Sequence, residues 1–62
     1  MNHFHLYINS VNDVSELERI REEIKEQVVD PQLNWQSRML IYSQVQFVTE
    51  RITMLRRSNH AV

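Results

Sequence analysis

A mainly α-helical fold is predicted for these 62 residues: an antiparallel helical hairpin with a short N-terminal β arm, in one domain that spans residues 1–62. The chain has no glycine and a single proline, which disfavours a turn-rich β fold. Two long segments carry apolar residues at three- and four-residue intervals, as amphipathic helices do. Only the first residues alternate between apolar and polar side chains, which is the pattern of a strand.

Residues 3–8, with the sequence HFHLYI, are predicted to form the β arm. Successive side chains of a strand point to opposite faces, so the arm would have one apolar and one polar face. The apolar face would hold Phe4, Leu6 and Ile8, and the polar face would hold His3, His5 and Tyr7. A single strand leaves its backbone groups unpaired, so an ordered arm needs a partner. The alternative is irregular coil.

Helix one is predicted over residues 13–28. Asp13 and Glu16 form an Asp-x-x-Glu pattern that resembles a capping box and marks the start of the helix. Its apolar residues form a narrow stripe, and charged residues fill the outer face. The stripe consists of Val14, Leu17, Ile20, Ile24 and Val28.

Helix two is predicted over residues 31–57, followed by a tail at residues 58–62. Asp30 is a good N-cap, and Pro31 fits the first helical position. Two consecutive arginines would complement the helix dipole in the last turn. Because the connection between the two helices is very short, we expect them to be antiparallel neighbours.

Helix two would be longer than helix one, at roughly 40 Å against roughly 24 Å, so its C-terminal half would lack a neighbour. That half has an a/d seam and a second apolar stripe, which recurs every seven residues at Leu40, Phe47 and Met54. Exposing such a side chain forgoes roughly 1.5–3 kcal/mol. We therefore predict a symmetric homodimer in which the arms pair and the overhanging halves of helix two pack together. The predicted interface comprises Phe4, Leu6, Ile8, Leu40, Phe47, Val48, Ile52, Met54 and Leu55.

Catalytic, metal-binding and cofactor-binding sites are not expected. The chain has no cysteine, its carboxylates lie mostly on the exposed face of helix one, and none of its serines has a nucleophile-elbow context. His3 and His5 lie two residues apart, but no acidic residue stands near them in the sequence to complete a metal site. We therefore expect no enzymatic activity.

The bulk properties favour a protein that binds other proteins. A formal net charge of −1 implies neither nucleic acid nor an anionic membrane as a partner. No apolar run approaches about 18 residues, and no signal pattern is seen, so we expect a cytoplasmic location. Trp35 is expected to close the end of the hairpin core, or alternatively to stand exposed as an anchor for a partner.

From these observations we predict a small non-enzymatic protein-interaction module: a dimeric adaptor, inhibitor or chaperone-like regulator. It would bind a second copy of itself and another protein through the apolar faces of helix two.

The alternative function rests on a resemblance. The order strand, helix, helix over residues 3–50 resembles the ribbon-helix-helix family of DNA-binding repressors, whose paired strands enter the major groove. The resemblance implies a transcriptional regulator in which His3, His5 and Tyr7 face base edges. Separately, Arg56 and Arg57 give helix two a basic end that could contact phosphate, or that could pack against the acidic helix one. A shorter stretch within residues 30–43 is similar to the hairpin of type III secretion needle subunits, which implies a helical hairpin at this place.

We predict no binding to duplex DNA tighter than about 10 μM at about 150 mM salt. A DNA-binding dimer must neutralise phosphates, and outside the acidic helix one the chain has only four arginines and no lysine. Fluorescence anisotropy against random and host-derived duplexes measures the affinity. Nanomolar, salt-sensitive binding that is lost in a dimeric His5→Ala, Tyr7→Ala double variant would favour the repressor instead.

Overall fold

The computed structural model describes residues 3–60, with side chains through Ser58. This part of the chain contains α1 (His3–Ser10), α2 (Val14–Glu26), a short 3-10 helix (Gln27–Val29) that extends α2, and α3 (Trp35–His60). The prediction of a mainly helical chain is confirmed. No strand occurs within residues 3–60, so the predicted β arm at residues 3–8 is wrong. Of the predicted tail, residues 61 and 62 lie outside the described residues.

The hydrogen-bonding needs of the backbone explain why residues 3–8 form a helix rather than a strand. A lone strand would leave its N–H and C=O groups without partners, whereas a helix pairs most of them internally. The same apolar residues also suit a helix, because Phe4, Ile8 and Val11 follow the four- and three-residue steps of one helical face. Ile8 is fully buried, and Phe4 and Val11 pack against the core. The Val11 N–H donates a hydrogen bond to the Ile8 carbonyl at 3.2 Å, which closes the last turn.

α2 begins directly after Asp13. The Asp13 carboxylate accepts a hydrogen bond from the Ser15 N–H at 3.0 Å, as an N-cap side chain does. The predicted apolar stripe faces the core, and the helical stretch continues through the 3-10 helix to one residue past the predicted end. The buried residues of α2 are Leu17, Ile20 and Ile24.

α3 begins four residues later than predicted for helix two. Asp30 does not cap it, because its carboxylate accepts a hydrogen bond from the N–H two residues ahead at 2.9 Å and so holds a turn that contains Pro31. The cap is Asn34, whose side-chain oxygen accepts the N–H three residues ahead at 2.7 Å. Helix two therefore runs over Trp35–His60 rather than over residues 31–57.

α2 and α3 pack side by side and run in opposite directions. Glu18, near the start of α2, pairs with Arg56, near the end of α3, at 3.0 Å. Val28, just after α2, contacts Arg38, near the start of α3. α1 packs mainly against α3, around the position of Phe47. The molecule is elongated: it is 46 Å long, and its radius of gyration is 12.9 Å, against about 11 Å for a compact chain of this length.

Seven apolar side chains from all three helices form the core, and no polar or charged residue is buried among those described. The core residues are Ile8, Leu17, Ile20, Ile24, Ile41, Val48 and Ile52. A core of this size is consistent with a stability at the low end of the usual range, roughly 5 kcal/mol. Within residues 3–60, no helix has the length and apolar character that a bilayer crossing requires.

The two connections between the helices are built without glycine. They comprise residues 11–13 and residues 30–34. Within residues 3–60 no residue adopts a positive φ angle, so neither connection uses a left-handed conformation. Both are instead held by Asp and Asn side chains that accept backbone N–H groups.

Leu17→Ala should lower the free energy of unfolding by about 2–5 kcal/mol, because the Leu17 side chain is fully buried and its removal leaves a cavity. Leu40→Ala is the matched control, since the same atoms are removed from a side chain that is 59% exposed. Its effect should stay below about 0.5 kcal/mol. Urea unfolding followed by circular dichroism measures both losses. Equal losses at the two positions would contradict this core.

Candidate protein-interaction surface

The nine residues predicted for the dimer interface do not lie on one surface of the chain. Three belong to its own core, three are partly buried around that core, and three are exposed. The core residues are Ile8, Val48 and Ile52; the partly buried ones are Phe4, Phe47 and Leu55; the exposed ones are Leu6, Leu40 and Met54. The three core residues are covered within the chain, so a partner could contact them only if the packing of the helices changed.

α1 covers the middle of the second apolar stripe of α3. The His5 ring stacks on the Phe47 ring, with centroids 4.0 Å apart and an angle of 22° between the planes. Phe4 contacts the same ring in a tilted arrangement with centroids 6.2 Å apart. α1 of the same chain thus covers Phe47. From the sequence we expected a second copy of the chain to cover it. Leu40 and Met54, at the two ends of the stripe, remain exposed.

A second group of exposed apolar residues lies on the outer face of α3. Trp35 is 73% exposed, Met39 45% and Tyr42 54%. We call these three residues the Trp35 face, because steps of four and three residues place them together, roughly 120° around the helix from its buried seam. The expectation that Trp35 closes the hairpin core is wrong, and the exposed position agrees with the alternative that we considered.

The Trp35 face was missed in the sequence although its spacing is visible there. Gln46 occupies the next position on that face, so the apolar pattern lasts for only two turns of helix. Because helix two was predicted to begin at residue 31, Trp35 was expected inside the helix, whereas it is the first residue of α3. A search for aromatic residues and methionine at i, i+4 and i+7 would have found it.

Exposed apolar side chains concentrate at the end of the molecule where α2 leads into α3. Of the eight large apolar residues that are exposed in the described chain, five lie between positions 29 and 42. Val29 and Leu40 accompany the Trp35 face there. Single exposed apolar residues are normal on a protein surface, but a concentration of them is typical of a protein-binding site.

The connection between α2 and α3 is held by an arginine of α3. The Arg38 guanidinium donates hydrogen bonds to the Val28 carbonyl at 2.9 Å and to the Asp30 carbonyl at 3.3 Å. The Val28 carbonyl belongs to the 3-10 helix, and the Asp30 carbonyl, in the turn, also accepts a hydrogen bond from the Leu33 N–H at 3.2 Å. Arg38 therefore fixes the position from which the Trp35 face starts.

Arg51 and Arg56 also bind within the chain. Arg51 donates to the Val11 carbonyl at 3.3 Å and to the side-chain oxygen of Asn12 at 2.8 Å, so it holds the connection between α1 and α2. Arg56 forms its ion pair with Glu18 of α2 at 3.0 Å. Most arginines of α3 thus bind neighbouring elements of the same chain.

The five residues predicted as alternative nucleic-acid contacts are not brought together. Residues two apart on an α-helix point about 200° apart, so His5 points away from His3 and Tyr7, which lie one turn apart on the other face of α1. His5 is occupied by its ring stack and Arg56 by its ion pair. Arg57 is exposed and forms no ion pair with any described residue.

The charged face of α2 is largely neutralised by its own ion pairs. Arg19 binds Glu16 and Glu23, one turn away on either side, and Lys25 pairs with Glu22 at 3.2 Å. The hydrogen bond from Arg19 lowers the pKa of the Glu16 carboxyl group below its ordinary value, and the nearby positive charge adds to this effect. These groups are solvated, so this face is a water-exposed surface rather than an acidic binding site.

The described part of the chain encloses no binding cavity. Residues 3–60 contain no pocket that would enclose a small molecule, and no cluster of three or more potential metal ligands forms among them. No family model, curated protein or solved structure matches the chain. The strand that the ribbon-helix-helix resemblance requires is also not found in residues 3–60.

The fluorescence of Trp35, the only tryptophan of the chain, should report its exposure. At low micromolar concentration we expect an emission maximum close to that of a small tryptophan derivative in water, and quenching by acrylamide at a similar rate. Denaturation in urea should shift the maximum little. A strongly blue-shifted emission in the native protein would show that Trp35 is covered, either within the chain or by a second copy.

Proposed function

We propose that this chain is a small non-enzymatic protein-interaction module that binds another protein through the Trp35 face of α3. The observation that carries the proposal is the exposure of Trp35, Met39 and Tyr42 along two successive turns of one helix. Adaptor, inhibitor and chaperone-like roles all require such a surface, and the proposal covers them as one class.

The composition of the Trp35 face supports a binding role. Trp and Tyr are the residue types that most often dominate the energy of protein interfaces, because they bury a large rigid surface. Methionine adapts its shape to irregular apolar surfaces. On one flank the neighbouring positions are Gln36, Ser43 and Gln46, which are uncharged. On the other flank is Arg38, whose guanidinium already donates to the Val28 and Asp30 carbonyls, so its charge keeps hydrogen-bond partners when the face is covered.

The geometry indicates the kind of partner surface. Residues at i, i+4 and i+7 form a ridge along a helix, and such a ridge packs into a groove between side chains of another helix pair. The partner should therefore offer an apolar groove about two helical turns long, or roughly 10 Å. The N-cap at Asn34 and the Arg38 contacts hold the first turn of α3 in place, so the ridge is formed before binding.

A homodimer through the second apolar stripe is supported less well. α1 covers Phe47, and the residues of the stripe that stay exposed, Leu40 and Met54, are about 21 Å apart along α3. Two isolated contacts at that separation make a poor interface core. The DNA-binding alternative is favoured by no observation on residues 3–60. We therefore base the proposed function on a different protein as the partner of the Trp35 face.

Photo-crosslinking in extracts of the native host tests the proposal. A photoreactive residue at Met39 should capture a partner, whereas the same residue at Thr53, an exposed position further along the same side of α3, should not. Capture at Met39 should be lost on Trp35→Ala and kept on Gln46→Ala. Circular dichroism controls for folding of each variant.

The captured protein should then be purified and titrated against the chain. Trp35→Ala should weaken binding by about 30-fold or more, as expected for a central aromatic anchor, and Gln46→Ala by less than about threefold. The Trp35 emission should shift to shorter wavelength as the complex forms. Equal capture at positions 39 and 53, or an affinity that does not depend on Trp35, would overturn the proposal.

A further inference from the structure

α1 is held on the rest of the chain almost entirely by side-chain contacts. Phe4, Ile8 and Val11 face the core, and His5 stacks on Phe47. On the C-terminal half of α3, α1 packs on the apolar surface around Phe47, whose ring contacts both Phe4 and His5. We call this surface the α1 groove.

α1 and its groove each depend on the other. The helix has only eight residues, with no acidic residue in its first turn and no basic residue in its last. Isolated helices shorter than about 12–15 residues are marginal in water, so α1 needs the groove to stay helical. Without α1, the apolar surface of the groove would lie in water. The packing contacts do not require that helix and groove belong to the same chain.

The connection from α1 to α2 comprises only residues 11–13. Two copies whose connections straighten would each direct α1 away from its own α3. We propose that two copies exchange their N-terminal helices, so that α1 of each chain fills the α1 groove of the other. The exchanged dimer repeats the packing contacts of the monomer across chains, which makes this route to a dimer inexpensive in free energy. The proposal is independent of the Trp35 face.

The hydrogen bonds of Arg51 distinguish the closed monomer from the exchanged dimer. It binds the Val11 carbonyl and the Asn12 side chain, which lie in the connection itself, so straightening the connection would break these hydrogen bonds. Arg51 thus favours the closed monomer. A short linker gives the intramolecular helix an effective concentration in the millimolar range, so exchange should become substantial at about 0.1–1 mM protein.

Two measurements on the full-length chain test the exchange. In sedimentation equilibrium, Arg51→Ala should lower the monomer–dimer dissociation constant by about tenfold, because it removes hydrogen bonds from a charged group to the closed connection. Arg57→Ala is the matched control: it removes the same side chain from a position that is exposed and forms no ion pair with any described residue. The monomer–dimer dissociation constant of Arg57→Ala should stay within about twofold of the value for the unmodified chain.

The second measurement identifies the exchanged contact. The chain has no cysteine, so a His5→Cys, Phe47→Cys variant carries thiols only on α1 and in its groove. A short thiol-to-thiol crosslinker should join positions 5 and 47 within one chain at about 10 μM protein, and between two chains at about 1 mM. Mass spectrometry of the digested products distinguishes links within a chain from links between an isotope-labelled and an unlabelled copy.

Links between labelled and unlabelled copies at high concentration, together with the shift on Arg51→Ala, would support the exchange. Two results would overturn it. One is a 5–47 link that stays within one chain at every concentration, with Arg51→Ala monomeric at 1 mM. The other is a dimer that forms while positions 5 and 47 still crosslink only within each chain, since its copies would then associate without exchanging α1.

Discussion

The two apolar faces of α3 are the constraint on which the rest of the structure depends. α2 and the 3-10 helix after it lie along most of α3, from Arg38 near its start to Arg56 near its end, so the predicted overhang of helix two does not form. They leave the second apolar stripe uncovered, and α1 packs over Phe47 in the middle of it. The position of α1 and the division of the core among three helices follow from these two faces, and the 26 residues of α3 account for the elongated shape.

The second organising feature is the use of arginine where other small domains use disulfides or metal ions. Three arginines on one long helix each reach a different neighbouring element: the turn before α3, the connection before α2, and α2 itself. Guanidinium groups suit this task because they offer several donors in a fixed fork, which can satisfy carbonyl groups at the ends of helices. The contrast between an acidic α2 and a basic α3 is therefore explained in part by contacts within the chain.

The parts of the fold that could be predicted from the sequence are those set by repeated spacing over several turns. The stripe of α2 and the seam of α3 follow from such spacing, but Val48 and Ile52 of that seam were assigned to the dimer interface and lie in the chain's own core. Residues 3–8 were misjudged because six residues are too few to separate a strand from a helix when apolar side chains fit both periods. The exposure of Trp35 depends on where α1 and α2 lie around α3, and on a helix start set by Asn34 rather than by Pro31. Local spacing does not contain that tertiary information.

The absence of glycine and of any positive φ within residues 3–60 has a consequence for the unfolded chain. Glycine loses more backbone freedom on folding than any other residue, at roughly 0.5–1 kcal/mol relative to alanine. A chain without it starts from a more restricted unfolded ensemble and so loses less entropy when it folds. This smaller loss of entropy helps to explain how a core of only seven buried side chains can stabilise the fold. It also means that stability can be lowered through the unfolded state: Gln32→Gly, in the connection at residues 30–34, would enlarge the unfolded ensemble while keeping the hydrogen bonds that Asp30 and Asn34 make there.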